Sequence, residues 1–246
     1  MTKCPSQPGA LDALNTRIVA CDRCPRLRMH CEEVARVRRR AYAEFEYWGK
    51  PVPSFGDPEA RVLVLGLAPG AHGSNRTGRM FTGDGSGDFL FPVLHDAGFA
   101  SQPKAVDRED GMKLTGLWIA AVVRCAPPGN KPTPEEQHNC APWLDEEMRL
   151  LTGLRVVVCL GRIAFDGLMA HAQRTAQPGQ MPPRSALPFR HGAEFTLPGG
   201  LRVLASYHPS LQNTNTGKLT RPMFFDIFKR ARRLADLSGP RRIAID

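Results

Sequence analysis

The stretch from residue 61 to residue 88, RVLVLGLAPGAHGSNRTGRMFTGDGSGD, constrains the fold more than any other part of the chain. A short apolar run at residues 62–65 leads directly into a segment in which glycine recurs every few residues. This pattern is typical of a buried parallel strand that delivers a loop at its carboxyl end. Open α/β sheets bind their ligands at such ends. The stretch therefore predicts a core strand followed by a ligand-binding loop.

The glycines of this loop allow positive φ angles and let backbone N–H groups approach a substrate closely. They stand at positions 66, 70, 73, 78, 83, 85 and 87, and the chemistry between them comes from Asn75, Arg76, Phe81 and Asp84. A phosphate-binding P-loop is excluded because neither Gly-Lys pair of the chain is followed by Ser or Thr. A calcium loop that begins at Asp84 would end on His95 instead of a bidentate Glu.

The chain has a strong positive charge. Its 33 Lys and Arg against 24 Asp and Glu give +9 at pH 7 and an isoelectric point near 9.5. This balance favours a polyanionic partner, either a nucleic acid or a membrane surface. The N-terminus has no apolar signal region and no stretch approaches eighteen consecutive apolar residues, so we expect a cytoplasmic protein that does not enter the membrane.

Apolar runs at residues 62–65, 117–123, 155–160 and 201–206 alternate with helical patterns. The alternation predicts an α/β fold with a mostly parallel sheet that helices cover on both faces. Residues 194–197 and 201–206, which flank Pro-Gly-Gly, predict a hairpin. We expect a flexible N-terminus at residues 1–10, one domain at 11–237 with a Pro/Gly-rich insertion at 173–192, and a tail at 238–246.

Seven cysteines in a chain without an export signal favour a metal centre over disulfides. Cys21 and Cys24 are three residues apart, and Cys125 and Cys140 lie beside polar loops. Four thiolates suit either a structural zinc or a 4Fe-4S cluster, and the spacing does not separate the two. Cys159, inside an apolar run, is expected to be a buried and unligated side chain.

His208 directly follows the last predicted core strand, at the edge of the sheet where ligands bind. The residues after it offer amide and hydroxyl groups, and Leu211 or Gln212 could wedge into a duplex. Basic residues at 36–40 and 229–233 are either a solvated face or contacts to a phosphate backbone.

Four motifs in order carry a family resemblance. They are CDRCPRL, GLAPGAHGSNRTGRMFTGDGSG, VVRCAPPGNKPTPEE with a cysteine on the next helix, and SYHPSLQNTNTG. Together they resemble the B-type branch, or fifth family, of the uracil-DNA glycosylases, over residues 21–237. The resemblance implies a three-layer αβα sandwich around a four-stranded, mostly parallel sheet and a 4Fe-4S cluster held by Cys21, Cys24, Cys125 and Cys140. It also implies removal of uracil, and often of hypoxanthine and other deaminated or etheno bases, from DNA.

The sequence departs from the A-type branch at two positions that matter. Leu67 stands where that branch has a carboxylate, and Ala121 stands where it has a base-reading Asn. Any carboxylate must therefore come from elsewhere, and Asp84 is the nearest candidate, with Asp88 behind it. Fewer obligatory hydrogen bonds to the base weaken discrimination against related bases.

We therefore expect Asp84 to serve the sugar and His208 to stabilise the departing base. The expected base-binding residues are Leu67, Ala68, Gly70, Phe81 and Asn130. The expected DNA contacts are Asn75, Arg76, Ser210, Leu211, Gln212 and Asn213. The expected partner is DNA with deaminated bases, bound by a monomer that needs no protein partner. Two rival hypotheses are a metal-stapled nucleic-acid binder without catalysis and an electron carrier.

Overall fold

The structure, a computed structural model, describes residues 7–236. One six-stranded sheet has the strand order β1-β3-β2-β4-β6-β5. The strands are β1 (Phe55–Gly56), β2 (Val62–Gly66), β3 (Leu117–Ala121), β4 (Val156–Leu160), β5 (Glu194–Thr196) and β6 (Arg202–Ser206). The α-helices are α1 (Gln7–Val19), α2 (Pro25–Val37), α3 (Ser74–Thr77), α4 (Gly85–Asp96), α5 (Pro134–Leu150), α6 (Arg162–Thr175), α7 (Leu211–Asn215) and α8 (Arg221–Leu234).

The four central strands are parallel. β2 pairs with β3 and β4, and β4 pairs with β6, all in parallel register. The short strands β1 and β5 add antiparallel edges on β3 and β6. The α/β prediction is confirmed, but the sheet has six strands where the resemblance implied four. β1 has only two residues in a Pro/Gly-rich segment, too few to show an alternating pattern.

Helices cover both faces of the sheet, so the molecule has three layers. Alternate residues of β2 point to opposite faces, with Leu63 and Leu65 in one hydrophobic cluster and Val62 and Val64 in the other. The first cluster includes buried residues of α1, α2, α5 and α6, and the second includes those of α4 and α8. Because the central strands are parallel, their carboxyl ends meet at one edge.

The chain ends differ from the predicted boundaries. α1 begins at Gln7, so residues 7–10 are helical, whereas the sequence predicted a flexible segment at 1–10. Residues 1–6, the last predicted helical residue Leu237 and the predicted tail at 238–246 lie outside the described residues. Within the described residues, no helix has the length and apolar character that crossing a membrane requires.

Candidate active site at the carboxyl edge of the sheet

Two aromatic rings face each other at the carboxyl edge. The ring centroids of Phe81 and His208 are 6.1 Å apart and their planes are tilted by 31°. Phe81 comes from the glycine loop after β2, and His208 from the loop after β6. A Cβ atom on Gly66, the last residue of β2, would lie 2.7 Å from Cζ of Phe81. Glycine at position 66 therefore lets the Phe81 ring lie across the end of the strand.

The backbone of Phe81 has a left-handed conformation, with φ +54°. Its carbonyl oxygen lies so close to Gly87 that a Cβ there would be 1.8 Å away. The side chain of Thr77 donates a hydrogen bond of 3.1 Å to the next carbonyl, that of Thr82. The first turn of α4 and the side chain of Thr77 thus hold an uncommon backbone geometry in place.

Asp84 caps the N-terminus of α4 with one carboxylate oxygen. Oδ1 accepts hydrogen bonds from the backbone N–H groups of Ser86 and Gly87 at 3.0 and 3.1 Å. Oδ2 lies against Gly70 and Gly73, where added Cβ atoms would be 2.8 and 2.1 Å from it. Within residues 7–236, Oδ2 accepts no hydrogen bond, and it is not among the fully buried atoms without a partner. One oxygen therefore shapes the loop, and the other has no hydrogen-bond partner within the described residues.

Burial raises the pKa of Asp84, although the two backbone hydrogen bonds favour its ionised form. Burial also lowers the pKa of His208, to about 4, so its imidazole is neutral at pH 7. A neutral imidazole still carries one N–H donor. Gly161, at φ +94°, makes room for this histidine, because a Cβ on it would lie 3.2 Å from Cβ of His208. The site therefore combines a neutral donor with a carboxylate.

The loop from Leu67 to Gly70 lies at the same edge, as predicted for contacts to a base. The carbonyl of Leu67 accepts from the N–H of Val123 at 2.9 Å, which continues the β2–β3 ladder, and Ala68 is half-buried. Gly70 lies beside Asp84. Asn130 is different. It is exposed on a separate turn with φ +58°, and none of its described contacts joins it to Phe81 or His208.

Asn75 and Arg76 were predicted to contact DNA, but both side chains are buried. Asn75 donates to the carbonyl of Cys31 at 3.2 Å. Arg76 donates to the carbonyls of His72 and Gly83, both at 2.9 Å. That prediction is wrong for these two residues, because their polar groups hold the glycine loop together from inside. Arg76 thereby fixes the residue that precedes Asp84.

The segment after His208 has one internal and one exposed part. Asn213 donates to the carbonyl of His208 at 2.8 Å, so its amide holds the histidine loop. The carbonyl of Ser210 accepts from backbone N–H groups of α7 at 2.9 and 3.0 Å. Gln212 is exposed, and Leu211 is 59% exposed. A Cβ on Gly85 would lie 2.7 Å from Leu211 Cδ2, so this leucine projects beside Asp84.

The basic end of α8 lies at the opposite edge of the sheet. Arg232 donates to the carbonyls of Ala97 and Gly98, which follow the far end of α4, and Arg230 pairs with Glu194 at 2.8 Å. Asp236, just after α8, pairs with Arg155, which precedes β4. The candidate phosphate contacts at residues 229–233 therefore lie near the amino ends of the strands, away from the edge that carries Phe81 and His208.

Comparison with known proteins gives the family. The sequence profile described as "Uracil DNA glycosylase superfamily" matches residues 53–232, which include both Phe81 and His208. The chain belongs to this superfamily. It is 54% identical over 226 residues to the type-5 uracil-DNA glycosylase of Thermus thermophilus, an alignment that covers 92% of this chain and 99% of the relative.

Two further relatives place the chain within the uracil-DNA glycosylase superfamily. It is 49% identical over 230 residues to the type-5 uracil-DNA glycosylase of Mycobacterium bovis, which covers 93% of this chain and 83% of that protein. The type-4 uracil-DNA glycosylase of Thermotoga maritima is 29% identical over 180 residues, with 71% and 78% covered. The type-5 resemblance expected from the motifs is thus confirmed.

The four cysteines expected to be ligands share one hydrophobic cluster. Cys125 and Cys140 belong to this cluster, and Cys21 and Cys24 pack against it. The backbone N–H of Arg124 donates to Cys140 Sγ at 3.3 Å, and the Asn139 amide donates to Cys24 Sγ at 3.8 Å. Burial raises the pKa of the Cys24 thiol, and that of Cys140 to about 11. In residues 7–236, no three His, Cys, Asp or Glu side chains are arranged to hold a single metal ion.

One histidine of the glycine loop was not among the residues expected to act. His72 does not follow a strand, and its Nδ1 lies 3.1 Å from the hydroxyl of Tyr47. Burial, and then the charges of Arg39 and Arg76, lower its pKa. The only available signal was its place inside the glycine loop.

Proposed function

We propose that this protein is a DNA glycosylase that excises uracil from DNA and leaves an abasic site. The observation that carries the proposal is the grouping of Phe81, His208 and Asp84 at the carboxyl edge of the sheet. The rings of Phe81 and His208 can bound a flat base, and Asp84 stands in the same loop as Phe81. The names of the type-5 relatives agree with this activity.

A base within a duplex is inaccessible, so the nucleotide must first leave the stack. This step costs a few kcal/mol and least for a mispaired base. The exposed Leu211 beside Gly85 is suited to fill the gap that the base leaves. The extruded base then stacks on Phe81, whose ring is held against Gly66.

Cleavage of the N-glycosidic bond leaves negative charge on the base and positive charge on the sugar. The neutral imidazole of His208 donates a hydrogen bond to the departing base, where charge develops. Oδ2 of Asp84 accepts no hydrogen bond within residues 7–236, so it can hold a water or steady the sugar cation. Hydrolysis gives free uracil and an abasic deoxyribose.

We also propose that hypoxanthine and other deaminated or etheno bases are substrates. Leu67 and Ala121 have no polar side-chain group with which to read a base edge, and Asn130 is exposed elsewhere. A pocket with few obligatory hydrogen bonds leaves few polar groups unpaired when a related base enters, so it rejects fewer analogues.

We propose a 4Fe-4S cluster held by Cys21, Cys24, Cys125 and Cys140. The donor set suits such a cluster because it is all thiolate and because N–H groups already point at Cys140 and Cys24. Each cysteine of a cubane binds a different iron, so the ligands need not meet at one ion. When bound, the cluster would link the start of α2 to the loop after β3 and to α5, which would stabilise the fold. Cleavage of the glycosidic bond needs no electron transfer, so no redox role is required of the cluster.

The decisive experiment is incubation of the protein with a uracil-containing duplex, followed by alkaline cleavage at abasic sites. Strand cleavage at the uracil position is expected for the wild type, and loss of most of it for His208→Ala. Salt-dependent DNA binding without base release would instead support a non-catalytic binder. A redox-active cluster in a protein without base release would support an electron carrier.

A further inference from the structure

Residues 38–47, which we call the ledge, run along the outside of the glycine loop between α2 and β1. The guanidinium carbon of Arg76 lies 4.1 Å from the ring centroid of Tyr42 and 5.0 Å from that of Phe45. The same guanidinium donates to the carbonyl of Gly83 at 2.9 Å. A single side chain therefore separates the ledge from the residue before Asp84, so the ledge borders the site.

The ledge carries three arginines and two glutamates, which leaves it a net charge of +1. Arg38, Arg39 and Arg40 are exposed, and Arg38 donates to the carbonyl of Ala43 at 2.7 Å. Across residues 7–236, the side chains of Arg39 and Arg40 make no described hydrogen bond or ion pair. Their neighbours Glu44 and Glu46 are exposed and unpaired within the same range, so the ledge keeps a net positive charge.

The positive groups concentrate where the ledge meets the glycine loop. The hydroxyl of Tyr47 lies 3.1 Å from Nδ1 of His72 and also accepts from the backbone N–H of Arg39 at 3.4 Å. After burial, the charges of Arg39 and Arg76 lower the pKa of His72. Two guanidinium groups therefore lie at the corner where the ledge meets the loop, which suits an anion.

The ledge also presents an aromatic ring to solvent. Phe45 is 50% exposed, and its ring meets Tyr42 edge to face with the centroids 6.0 Å apart. Arg76 supports both rings from the protein side. Exposed aromatic rings among arginines suit nucleic acid, because phosphates pair with the cations and bases or sugars pack on the rings.

We propose that the ledge binds the DNA strand beside the extruded nucleotide, with Arg39 and Arg40 on phosphates and Phe45 against an adjacent base or sugar. The place of the extruded nucleotide rests on the proposed function, whereas DNA binding by the ledge does not. The ledge would thus form one wall of the DNA-binding face, and Leu211 would stand on the other side of Asp84.

The phosphate contacts are tested by equilibrium binding to a duplex with a stable abasic-site analogue over a series of KCl concentrations. Each phosphate contact contributes about 0.9 to the slope of log K against log salt, so Arg39→Ala/Arg40→Ala should lower the slope by roughly 1.8. Arg233→Ala is the matched control, since Arg233 is an exposed arginine of α8 at the other edge. Equal slopes for wild type, double variant and control would overturn the proposal.

The aromatic contact is tested in the same assay with Phe45→Ala. Stacking on one base is worth enough that affinity for the abasic duplex should fall about fivefold or more. Met29→Ala is the control, because Met29 is an apolar side chain of α2 that is 69% exposed. Equal affinities for the two variants would remove Phe45 from the interface. If these ledge variants bound DNA as the wild type does but no longer captured an acidic protein that the wild type captures, the ledge would be a site for a protein partner, and the proposal would be overturned.

The two proposals fail separately. Binding to the abasic duplex requires no base release. If the wild type releases no uracil but the double variant has a lower salt slope than the wild type, the proposed function is refuted and the ledge proposal stands. A double variant with normal uracil release and an unchanged slope refutes the ledge alone.

Discussion

A buried ion pair between the cysteines and the sheet gives the sharpest stability prediction. The guanidinium of Arg124 donates to Glu147 Oε2 at 2.6 Å, and the side chains are 1% and 0% exposed. The indole N–H of Trp118 donates to Glu147 Oε1 at 2.9 Å, and Arg124 also bonds the hydroxyl of Ser54. Glu147→Leu removes the only carboxylate in this network and leaves the charge of Arg124 buried.

Breaking a buried ion pair by removing one partner costs about 3–5 kcal/mol. The indole of Trp118 loses its acceptor as well, so we expect a loss of about 4 kcal/mol or more in the free energy of unfolding. For a domain of this size, 1 kcal/mol shifts the melting temperature by about 2–4 °C. The expected decrease for Glu147→Leu is therefore roughly 10–15 °C.

The double variant Arg124→Met/Glu147→Leu separates charge from packing. It removes both charges and leaves the Trp118 indole and the Ser54 hydroxyl without these partners, at about 1–3 kcal/mol each, but no buried charge. It should therefore melt above the Glu147→Leu single variant. Thermal melts at one scan rate, with iron content measured beside them, decide the matter. A single variant that melts within about 2 °C of wild type would refute the reasoning, as would a double variant that melts lowest.

Three further predictions concern the site and the cysteines. His208→Ala should slow single-turnover uracil release about a hundredfold, or roughly 3 kcal/mol, with little change in DNA affinity, whereas Asp84→Asn should have a milder effect that depends on the base. Loss of all activity in Asp84→Asn with normal rates in His208→Ala would reverse these roles. Because folded His208 has a pKa near 4, below its ordinary value, the unfolded chain takes up the proton first. The free energy of unfolding should therefore fall as the pH drops from about 6.5 towards 4. His208→Gln should reduce this dependence on pH, as measured by chemical denaturation at a series of pH values. Protein purified without oxygen should be brown and carry iron rather than zinc, and a fully folded, active, iron-free protein would contradict the cluster.

The sequence predicted the parts of the fold that depend on local pattern. The parallel core strands follow from their apolar runs, and the start of α5 follows from the capping box that Thr133 and Glu136 form three residues apart. The glycine loop was placed correctly at the end of β2, because that pattern depends on backbone freedom. These features are set by neighbours along the chain.

The orientation of side chains, which distant residues decide, did not follow from the sequence. Asn75 and Arg76 are polar and stand in the loop, but they point inward because carbonyls of Cys31, His72 and Gly83 need donors there. The basic end of α8 satisfies carbonyls after α4 because the helix runs back along the sheet. The sequence contains these residues but not the direction in which each side chain points.

The left-handed backbone of Phe81 has a consequence for engineering. A non-glycine residue in this conformation is strained by about 1–3 kcal/mol, and glycine would relieve that strain. Phe81 is only 9% exposed and belongs to the second hydrophobic cluster, so glycine would also remove a buried ring, at about 3–5 kcal/mol, and with it the ring that faces His208. That loss exceeds the strain relieved, so packing and turnover both favour the aromatic side chain, and a stabilised variant should be sought with residue 81 held constant.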